Sequence, residues 1–227
     1  MTIRCVAFDL DDTLWDCKTV IDHAEHQLYQ WLQTHQPRIA DHHSLTTLIG
    51  SRVEHVSRYP ELHHDLGALR KQWLASLADE FGLERDWVEP AFAHFLEARN
   101  QVELFPGVLE ALQELKQVFS LGVITNGNAD VERIGLGHLF DFAHSSAAAG
   151  AAKPDPLIFA QAVAMAGVAA HEMVYVGDDP EKDIIGAQQA GLRTIWYNPL
   201  RRELSNGVNP DAIMTNFNEI ARLVQSL

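Results

Sequence analysis

Short apolar runs recur along the chain, and each is bounded by polar residues or glycine. The first is IRCVAF at positions 3–8. Four later runs have the same character: LGVIT (121–125), MVYVG (173–177), RTIWY (193–197) and DAIMT (211–215). Runs of this length that are rich in β-branched and aromatic residues are typical of buried strands. The pattern therefore predicts one strand near the N-terminus and four strands in the second half of the chain.

Between the later runs, apolar residues recur at spacings of three and four, which predicts amphipathic helices. The segment GVLEALQELKQ (107–117) shows this pattern, PDPLIFAQAVAMAG (154–167) shows it with early prolines, and EKDIIGAQQAG (181–191) ends in glycine. Proline at the start and glycine at the end are typical of helices. Because strands and helices alternate, the sequence predicts a Rossmann-like α/β fold with a parallel sheet and helices on both faces.

Residues 17–100 interrupt this alternation, because they contain helical patterns and no run that predicts a strand. Apolar residues such as Trp73, Leu77 and Phe81 fit amphipathic helices, and prolines and glycines separate these helices. We therefore predict an α/β core formed by residues 1–16 and 101–227, with an all-α cap inserted at residues 17–100.

Composition and charge narrow the class of protein. The 227 residues are 47% hydrophobic, and no uncharged apolar run approaches the ~18 residues of a membrane span. A formal net charge of −14 argues against nucleic acid or anionic membrane as a partner, but not against a small anionic substrate. Cys5 and Cys17 have no metal or redox spacing. We expect a cytoplasmic protein, and its oligomeric state stays open.

Polar and charged residues collect where the predicted strands end. They follow the first, second and third strands or precede a helix: Asp9, Asp11, Thr13, Thr125, Asn126, Gly127, Lys153, Asp178, Asp179 and Asp183. In an open parallel sheet, ligands bind in the crevice beyond the carboxyl ends of the strands. The sequence therefore predicts the functional site at this edge of the sheet.

The carboxylates at this edge require a cation. Side chains alternate along a strand, so Asp9 and Asp11 should project to one side, with Asp12 facing away. We expect this pair to meet Asp178 and Asp183 across the crevice. Two ionised carboxylates about 4 Å apart repel each other by roughly 4 kcal/mol at an effective dielectric near ~20. Oxygen ligands without nitrogen or sulfur favour a hard ion such as Mg²⁺.

The polar segments also match a family pattern. In order and spacing, DLDDTL (9–14), TNG (125–127), KPDP (153–156) and GDDPEKD (177–183) resemble the four motifs of the haloacid dehalogenase-like hydrolase superfamily. The resemblance extends to LFPGVLEAL, GHLFDF and GAQQAGLRTIWYNP and covers nearly the whole core. Within the superfamily, the chain is most similar to the small-metabolite branch with a helical cap, which includes flavin mononucleotide phosphatases.

This resemblance implies a role for each acidic residue of the first and last motifs. Asp9 would attack phosphorus and form an aspartyl-phosphate. Asp11 would protonate the leaving alcohol and then deprotonate the water that hydrolyses the intermediate. Mg²⁺ would be held by the Asp9 carboxylate, the Asp11 backbone carbonyl and Asp178. Asp183 would orient Lys153 or a metal-bound water, and Asp179 would contact such a water or cap the next helix.

The middle motifs would bind the transferring phosphoryl group. By the same resemblance, its oxygens would contact the Thr125 hydroxyl, the Asn126 backbone N–H and the Lys153 ammonium. Trp15 follows the catalytic loop, where the family has a flexible segment, and is a candidate substrate contact.

The function implied by the resemblance is a Mg²⁺-dependent phosphatase. Its substrate would be a small phosphorylated metabolite such as a phosphosugar, a nucleotide or flavin mononucleotide. Asp11 supports this chemistry, because true haloacid dehalogenases lack an acid/base aspartate two residues after the nucleophile. The alternatives are a phosphomutase, a 2-haloacid dehalogenase and a non-catalytic phosphate-binding protein.

Histidine is abundant, with 12 residues, most of them in the first half of the chain. The adjacent pair His42 and His43 should point to opposite sides of whatever element carries them, as should His63 and His64. None of the histidines has the spacing of a structural zinc site with cysteines. We interpret them as solvated residues of the cap surface rather than a second metal site.

Overall fold

The computed structural model describes residues 2–204 and 207–227 and divides into two compact units. An α/β unit comprises Met1–Asp16, Glu103–Gly127 and Gly135–Leu227, and a helical unit comprises Cys17–Val102 and Asn128–Ile134. The segment 128–134, which the sequence places in the core, packs within the helical unit. There the Asp130 N–H donates a hydrogen bond to Asn100 Oδ1 at 2.8 Å.

One parallel sheet forms the centre of the α/β unit. Its strands are β1 (Cys5–Phe8), β2 (Ser120–Thr125), β3 (Phe142–Ser145), β4 (Met173–Gly177), β5 (Arg193–Tyr197) and β6 (Ala212–Met214). They lie in the order β3-β2-β1-β4-β5-β6, and every neighbouring pair is parallel. This is the strand order of a doubly wound dinucleotide-binding fold. The predicted α/β class is confirmed.

The described helices follow one another along the chain in both units. They are α1 (Cys17–His35), α2 (Pro37–His42), α3 (Leu45–Ser57), α4 (Leu66–Phe81), α5 (Val88–Arg99), α6 (Val108–Lys116), α7 (Val131–Ile134), α8 (Ser146–Ala149), α9 (Pro156–Ala166), α10 (Gly186–Gln189) and α11 (Ile220–Gln225). A π-helical turn, Pro180–Ile185, precedes α10. Among residues 2–204 and 207–227, no helix combines the length and apolar composition that a membrane span needs.

The predicted strands at 121–125, 173–177 and 193–197 are observed almost residue for residue as β2, β4 and β5. Those predicted at 3–8 and 211–215 are shorter than expected. Strand β3 is not predicted at all. It has only four residues and lies at the edge of the sheet, where its FAHS sequence carries a weak apolar signal.

Helix α9 covers one face of the sheet near its centre. Cys5 and Ala7 of β1 pack there with Tyr175 of β4 and Phe159 of α9. The Phe159 ring lies edge-on to the Tyr175 ring, with centroids 5.2 Å apart. Burial raises the pKa of the Cys5 thiol to about 12, so this thiol is not a nucleophile at neutral pH.

The helical unit has its own core and a buried ion pair. Leu28, Trp73 and Phe95 are among the buried apolar residues of this core. Glu25 of α1 accepts hydrogen bonds from both terminal nitrogens of Arg70 of α4, at 2.8 and 3.2 Å. A bidentate pair of this kind fixes both distance and orientation, so it specifies how α1 packs on α4.

Candidate active site

The site lies where β1, β2 and β4 end. In the sheet register, Phe8 of β1 lies opposite Val123 of β2 and Val176 of β4. The Asp9 N–H donates to the Val176 carbonyl oxygen at 2.9 Å, which ties the residue after β1 to the end of β4. The three strands therefore bring their following residues to one edge, as the sequence predicts.

A cavity of about 180 Å³ opens at this edge. Its lining consists of polar residues and one glycine: Asp9, Asp11, Asp12, Thr125, Asn126, Gly127, Lys153, Asp178, Asp179, Lys182 and Asp183. All eight residues that the sequence assigns to catalysis, phosphate, metal or support are among them. The other three are Asp12, Gly127 and Lys182.

Asp12 is a correction to the alternation argument. Strand β1 ends at Phe8, and Asp12 has a left-handed backbone with φ 61°. Alternation of side chains holds only for extended backbone, so it does not apply at this position. As a result Asp12 lines the cavity instead of facing away, and its charge contributes to the raised pKa of Asp178.

Lys153 lies between two buried carboxylates. Its Nζ is 2.7 Å from Asp9 Oδ1 and 2.7 Å from Asp183 Oδ1. Burial alone would lower the pKa of Lys153, but the charges of Asp183 and Asp9 raise it above its usual value. Burial raises the pKa of Asp9 to about 8; the charge of Lys153 opposes this rise and that of Asp183 adds to it. The ammonium thus compensates only part of the negative charge.

Three carboxylates meet closely enough to share an ion. One carboxylate oxygen from each of Asp9, Asp178 and Asp183 lies within 4.8 Å of the other two. Burial, with repulsion from Asp183 and Asp12, raises the pKa of Asp178 to about 6. The raised pKa values of Asp9 and Asp178 show that these two carboxylates lack enough neighbouring positive charge to favour their ionised forms. Oxygen atoms are also the ligands that hard divalent cations prefer. The residues therefore fit Mg²⁺.

Asp11 is held by Trp15. The indole Nε1 donates a hydrogen bond to Asp11 Oδ1 at 2.9 Å, and the Trp15 side chain is fully buried. A buried indole has no face for a substrate, so the interpretation of Trp15 as a substrate contact is wrong for this structure. Trp15 instead fixes the carboxyl group of Asp11 within the loop.

Thr125 and Asn126 organise the end of β2. The Asn126 side chain donates to the Lys153 carbonyl oxygen at 3.0 Å and accepts from the Lys153 N–H at 2.7 Å. This reciprocal pair fixes the backbone of Lys153. Thr125 Oγ1 accepts from the Gly127 N–H at 2.9 Å, so the hydroxyl proton of Thr125 can be donated to an anion in the cavity. The side-chain role of Asn126 is not apparent from the sequence.

Asp179 precedes the π-helical turn after β4, and Asp183 lies within this turn. Asp179 caps this turn, because its Oδ1 accepts from the N–H groups of Glu181 and Lys182, each at 3.0 Å. Asp183 Oδ2 accepts from the Asp179 N–H at 3.0 Å. A Cβ at Gly177 would lie 2.4 Å from Asp183 Oδ2, so only glycine allows this approach.

Sequence reasoning missed two groups that hold the backbone of Asp178. The Trp196 indole donates to the Asp178 carbonyl oxygen at 2.8 Å, and Arg202 Nη2 donates to the same oxygen at 3.0 Å. The same Nη2 lies 3.7 Å from Asp178 Oδ2. Trp196 lies inside β5 and Arg202 in the loop that follows, and neither residue belongs to the four motifs.

Tyr175 is the third residue that the sequence does not reveal. Its hydroxyl donates to the Ile124 carbonyl oxygen at 2.7 Å and accepts from Lys153 Nζ at 2.7 Å. The side chain is fully buried, and burial raises the pKa of Tyr175 well above its usual value. It therefore joins β4, β2 and Lys153 through one neutral hydroxyl.

We expect Tyr175→Phe to lower the free energy of unfolding by about 1–3 kcal/mol, because it leaves the buried Ile124 carbonyl without its donor. Urea unfolding followed by circular dichroism measures this loss. The matched control is Tyr197→Phe, in neighbouring β5, which removes a hydroxyl outside this network. If Tyr175→Phe and the wild type had equal free energies of unfolding, the hydroxyl would not contribute to stability.

Known proteins that are similar to this chain include hydrolases and phosphatases. A family model described as a haloacid dehalogenase-like hydrolase matches residues 3–191. The 5-amino-6-(5-phospho-D-ribitylamino)uracil phosphatase YigB of Escherichia coli (strain K12) is 28% identical, covering 89% of this chain and 86% of the relative. The pyrimidine 5'-nucleotidase YjjG of the same organism is 33% identical, covering 70% of this chain and 74% of the relative.

A solved structure is more similar still. The crystal structure of a 2-haloacid dehalogenase from Pseudomonas syringae pv. Tomato DC3000 is 40% identical and superposes with a TM-score of 0.91. The match covers 98% of each chain. Both the family model and this structure include the segments that line the cavity.

Proposed function

Because the chain belongs to the haloacid dehalogenase-like hydrolase family, we propose that it is a Mg²⁺-dependent phosphatase acting on a small phosphorylated metabolite. One observation carries the proposal. A single cavity holds the buried carboxylate of Asp9, the Lys153 ammonium 2.7 Å from it, and the Asp11 carboxyl group. These are a nucleophile, a fixed positive charge and a second carboxyl group for proton transfer. Relatives named as a phosphatase and a nucleotidase support it.

The chemistry proceeds in two displacements. The Asp9 carboxylate attacks phosphorus, forming an acyl-phosphate bond while the ester P–O bond breaks and Asp11 protonates the departing oxygen. Asp11 then takes a proton from water as that water attacks phosphorus. The second step releases inorganic phosphate and regenerates the carboxylate of Asp9. The Trp15 hydrogen bond keeps the Asp11 carboxyl group in place through both steps.

The phosphoryl group would lie between the ends of β1 and β2. Lys153 places its charge 2.7 Å from Asp9 Oδ1, beside the proposed nucleophile, so negative charge on the phosphoryl oxygens would be stabilised there. Thr125 would donate its hydroxyl proton and Asn126 its backbone N–H. Asp183 and Tyr175 position the Lys153 ammonium by the contacts described above.

The metal set is proposed from the oxygens at the strand ends. Mg²⁺ would be held by the carboxylates of Asp9 and Asp178 and by the Asp11 backbone carbonyl. When bound, it would neutralise phosphate charge and favour the ionised form of the carboxylates. Asp183 already accepts hydrogen bonds from Lys153 and Asp179, so we assign it a supporting role rather than direct coordination.

A screen of phosphorylated metabolites with and without Mg²⁺ tests the function. We expect release of inorganic phosphate from at least one phosphosugar, nucleotide or flavin mononucleotide, loss of that activity with a chelator, and recovery on adding Mg²⁺. Transfer of phosphate between sugars without release would instead favour a phosphomutase. Phosphate binding without turnover of any compound would favour a non-catalytic phosphate-binding protein.

Dehalogenation is the second candidate, favoured by the 40% identity to a chain described as a 2-haloacid dehalogenase. Asp11 argues against dehalogenation. In that reaction water opens an ester formed on the enzyme, so no leaving alcohol has to be protonated and no acid is needed at this position. The same screen therefore includes a 2-haloacid without added Mg²⁺. Chloride release under those conditions, with no phosphate release elsewhere, would replace the phosphatase assignment.

Asp11→Asn tests the acid/base assignment through the leaving group. We expect a loss of about 10²- to 10⁴-fold in kcat/KM on an alkyl phosphate, because an alkoxide is a poor leaving group without a proton. The loss should be much smaller on p-nitrophenyl phosphate, whose leaving group needs no acid. Comparing kcat/KM on the two substrates measures the difference, because this ratio reports the first displacement and leaves out the later hydrolysis, in which Asp11 acts as a base on either substrate. Equal losses on both would exclude Asp11 as the general acid.

A further inference from the structure

Two adjacent histidines and a glutamate of the helical unit bring their ligand atoms together. His42 is the last residue of α2, His43 follows it, and Glu80 is next to the last residue of α4. One nitrogen or oxygen ligand atom of each residue lies within 4.8 Å of the other two. His42, His43 and Glu80 therefore have the spacing of a metal-binding cluster, and they share no residue with the acidic cavity.

The convergence of the two histidines corrects the sequence prediction that they point to opposite sides. Helix α2 ends between them, so His42 is helical whereas His43 is extended, with φ −111° and ψ 132°. This change of backbone turns the second side chain toward the first. The ring centroids of His42 and His43 lie 5.0 Å apart, with the ring planes at 75°.

The surrounding residues hold the two imidazoles in place. The Phe81 ring lies edge-on to both, with centroids 5.3 Å from His42 and 6.0 Å from His43. The Tyr29 hydroxyl of α1 donates to the His43 carbonyl oxygen at 2.9 Å, and the His43 N–H donates to the Ile39 carbonyl oxygen at 2.9 Å. Because α1, α2 and α4 all contribute, the cluster is largely preorganised.

His43 also has unused bonding capacity. Its Nε2 is shielded from solvent and has no hydrogen-bond partner among the residues that the structure describes. A buried polar atom without a partner is unfavourable, because it has lost its hydrogen bonds to water and gained none in the protein. In contrast, His42 and Glu80 are exposed, so an ion from solvent can reach the cluster.

We propose that His42, His43 and Glu80 form a site for a divalent transition metal, with Zn²⁺ as the ion best matched to it. Imidazole nitrogen favours zinc, copper and nickel, whereas magnesium and calcium prefer oxygen ligands. Two histidines and one glutamate are a known zinc ligand set that leaves one position for water. A bound ion would link the end of α2 to the end of α4 and stabilise the folded helical unit.

Calorimetric titration of the 227-residue chain with Zn²⁺ tests the site. The acidic cavity also offers carboxylates, so the titration is run with excess Mg²⁺ and is repeated in an Asp178→Asn background. We expect one Zn²⁺ to bind per chain in the wild type and in Asp178→Asn. Glu80→Gln should lower the Zn²⁺ affinity by more than about tenfold, since loss of even an outer-shell partner lowers metal affinity by about 10- to 100-fold. His42→Ala should abolish Zn²⁺ binding. The control is His26→Ala, which replaces an exposed histidine of α1 outside the cluster and should bind Zn²⁺ like the wild type.

Thermal unfolding gives a second readout that does not depend on catalysis. Zn²⁺ should raise the unfolding temperature of wild type and His26→Ala, and should leave that of His42→Ala unchanged. His42 and Glu80 are exposed, so their substitution should not prevent folding. Identical isotherms for wild type, His42→Ala and Glu80→Gln, or no binding to wild type, would overturn the proposal. Loss of the site only in Asp178→Asn would place the ion in the acidic cavity instead.

Discussion

Asp9→Asn should lower kcat by at least about 10⁴-fold, the scale of loss seen when a catalytic nucleophile is removed. The amide keeps the size and shape of the side chain but cannot donate an electron pair to phosphorus as a carboxylate does. Burial raises the pKa of Asp9 to about 8, so this carboxylate is costly to ionise, and a neutral amide should be tolerated by the fold. Phosphate release from the substrate identified in the screen measures the effect.

Two further measurements make this result specific to nucleophilic attack. Rapid quenching of wild type with substrate labelled at phosphorus should leave label on the protein, and Asp9→Asn should retain none. Asp86→Asn is the matched control, because Asp86 is an exposed aspartate of the helical unit. If Asp9→Asn were as active as wild type, or if wild type never carried label, the aspartyl-phosphate mechanism would be wrong.

The strands that could be predicted carry an unbroken run of apolar residues, as even the edge strand β6 does. β1 is fully buried and β4 is buried at every position, so an unbroken apolar run identified each of them. β3 has neighbours on one side only, and its burial alternates along FAHS, which leaves too few apolar residues for a signal. Segment 128–134 was likewise not predicted to join the helical unit, where the Asp130 N–H donates to the Asn100 side chain, because no apolar pattern indicates such a contact.

The candidate site was predictable for a topological reason. Parallel strands end at one edge, so residues that follow different strands meet there whatever their separation in sequence. Tyr175 could not be found in this way. It lies inside β4, where a tyrosine cannot be distinguished from a core residue until the direction of its hydroxyl is known. The directions of the Asp12, His42 and His43 side chains were predicted wrongly, because the backbone departs from regular geometry at those residues.

Lys153→Met is expected to remove both activity and stability. It leaves the carboxylates of Asp9 and Asp183 buried without the ammonium that lies 2.7 Å from each. Breaking a buried ion pair by removing one partner costs about 3–5 kcal/mol, because the remaining charge has no compensation. Urea unfolding measures the loss. Lys116→Met is the matched control: its ion pair with Asp141 lies at the surface, where such pairs contribute about 0–1 kcal/mol.

Adding Asp183→Asn to Lys153→Met separates the two effects. The double variant removes one of the unpaired charges, so it should unfold at a higher urea concentration than Lys153→Met alone, while phosphatase activity stays absent. If the second substitution restored activity as well, Lys153 would act only by stabilising the fold. If it restored neither, repulsion between Asp9 and Asp183 would not be the cause of the lost stability. Recovery of stability alone is the result expected when Lys153 neutralises the cluster and also stabilises the transferring phosphoryl group.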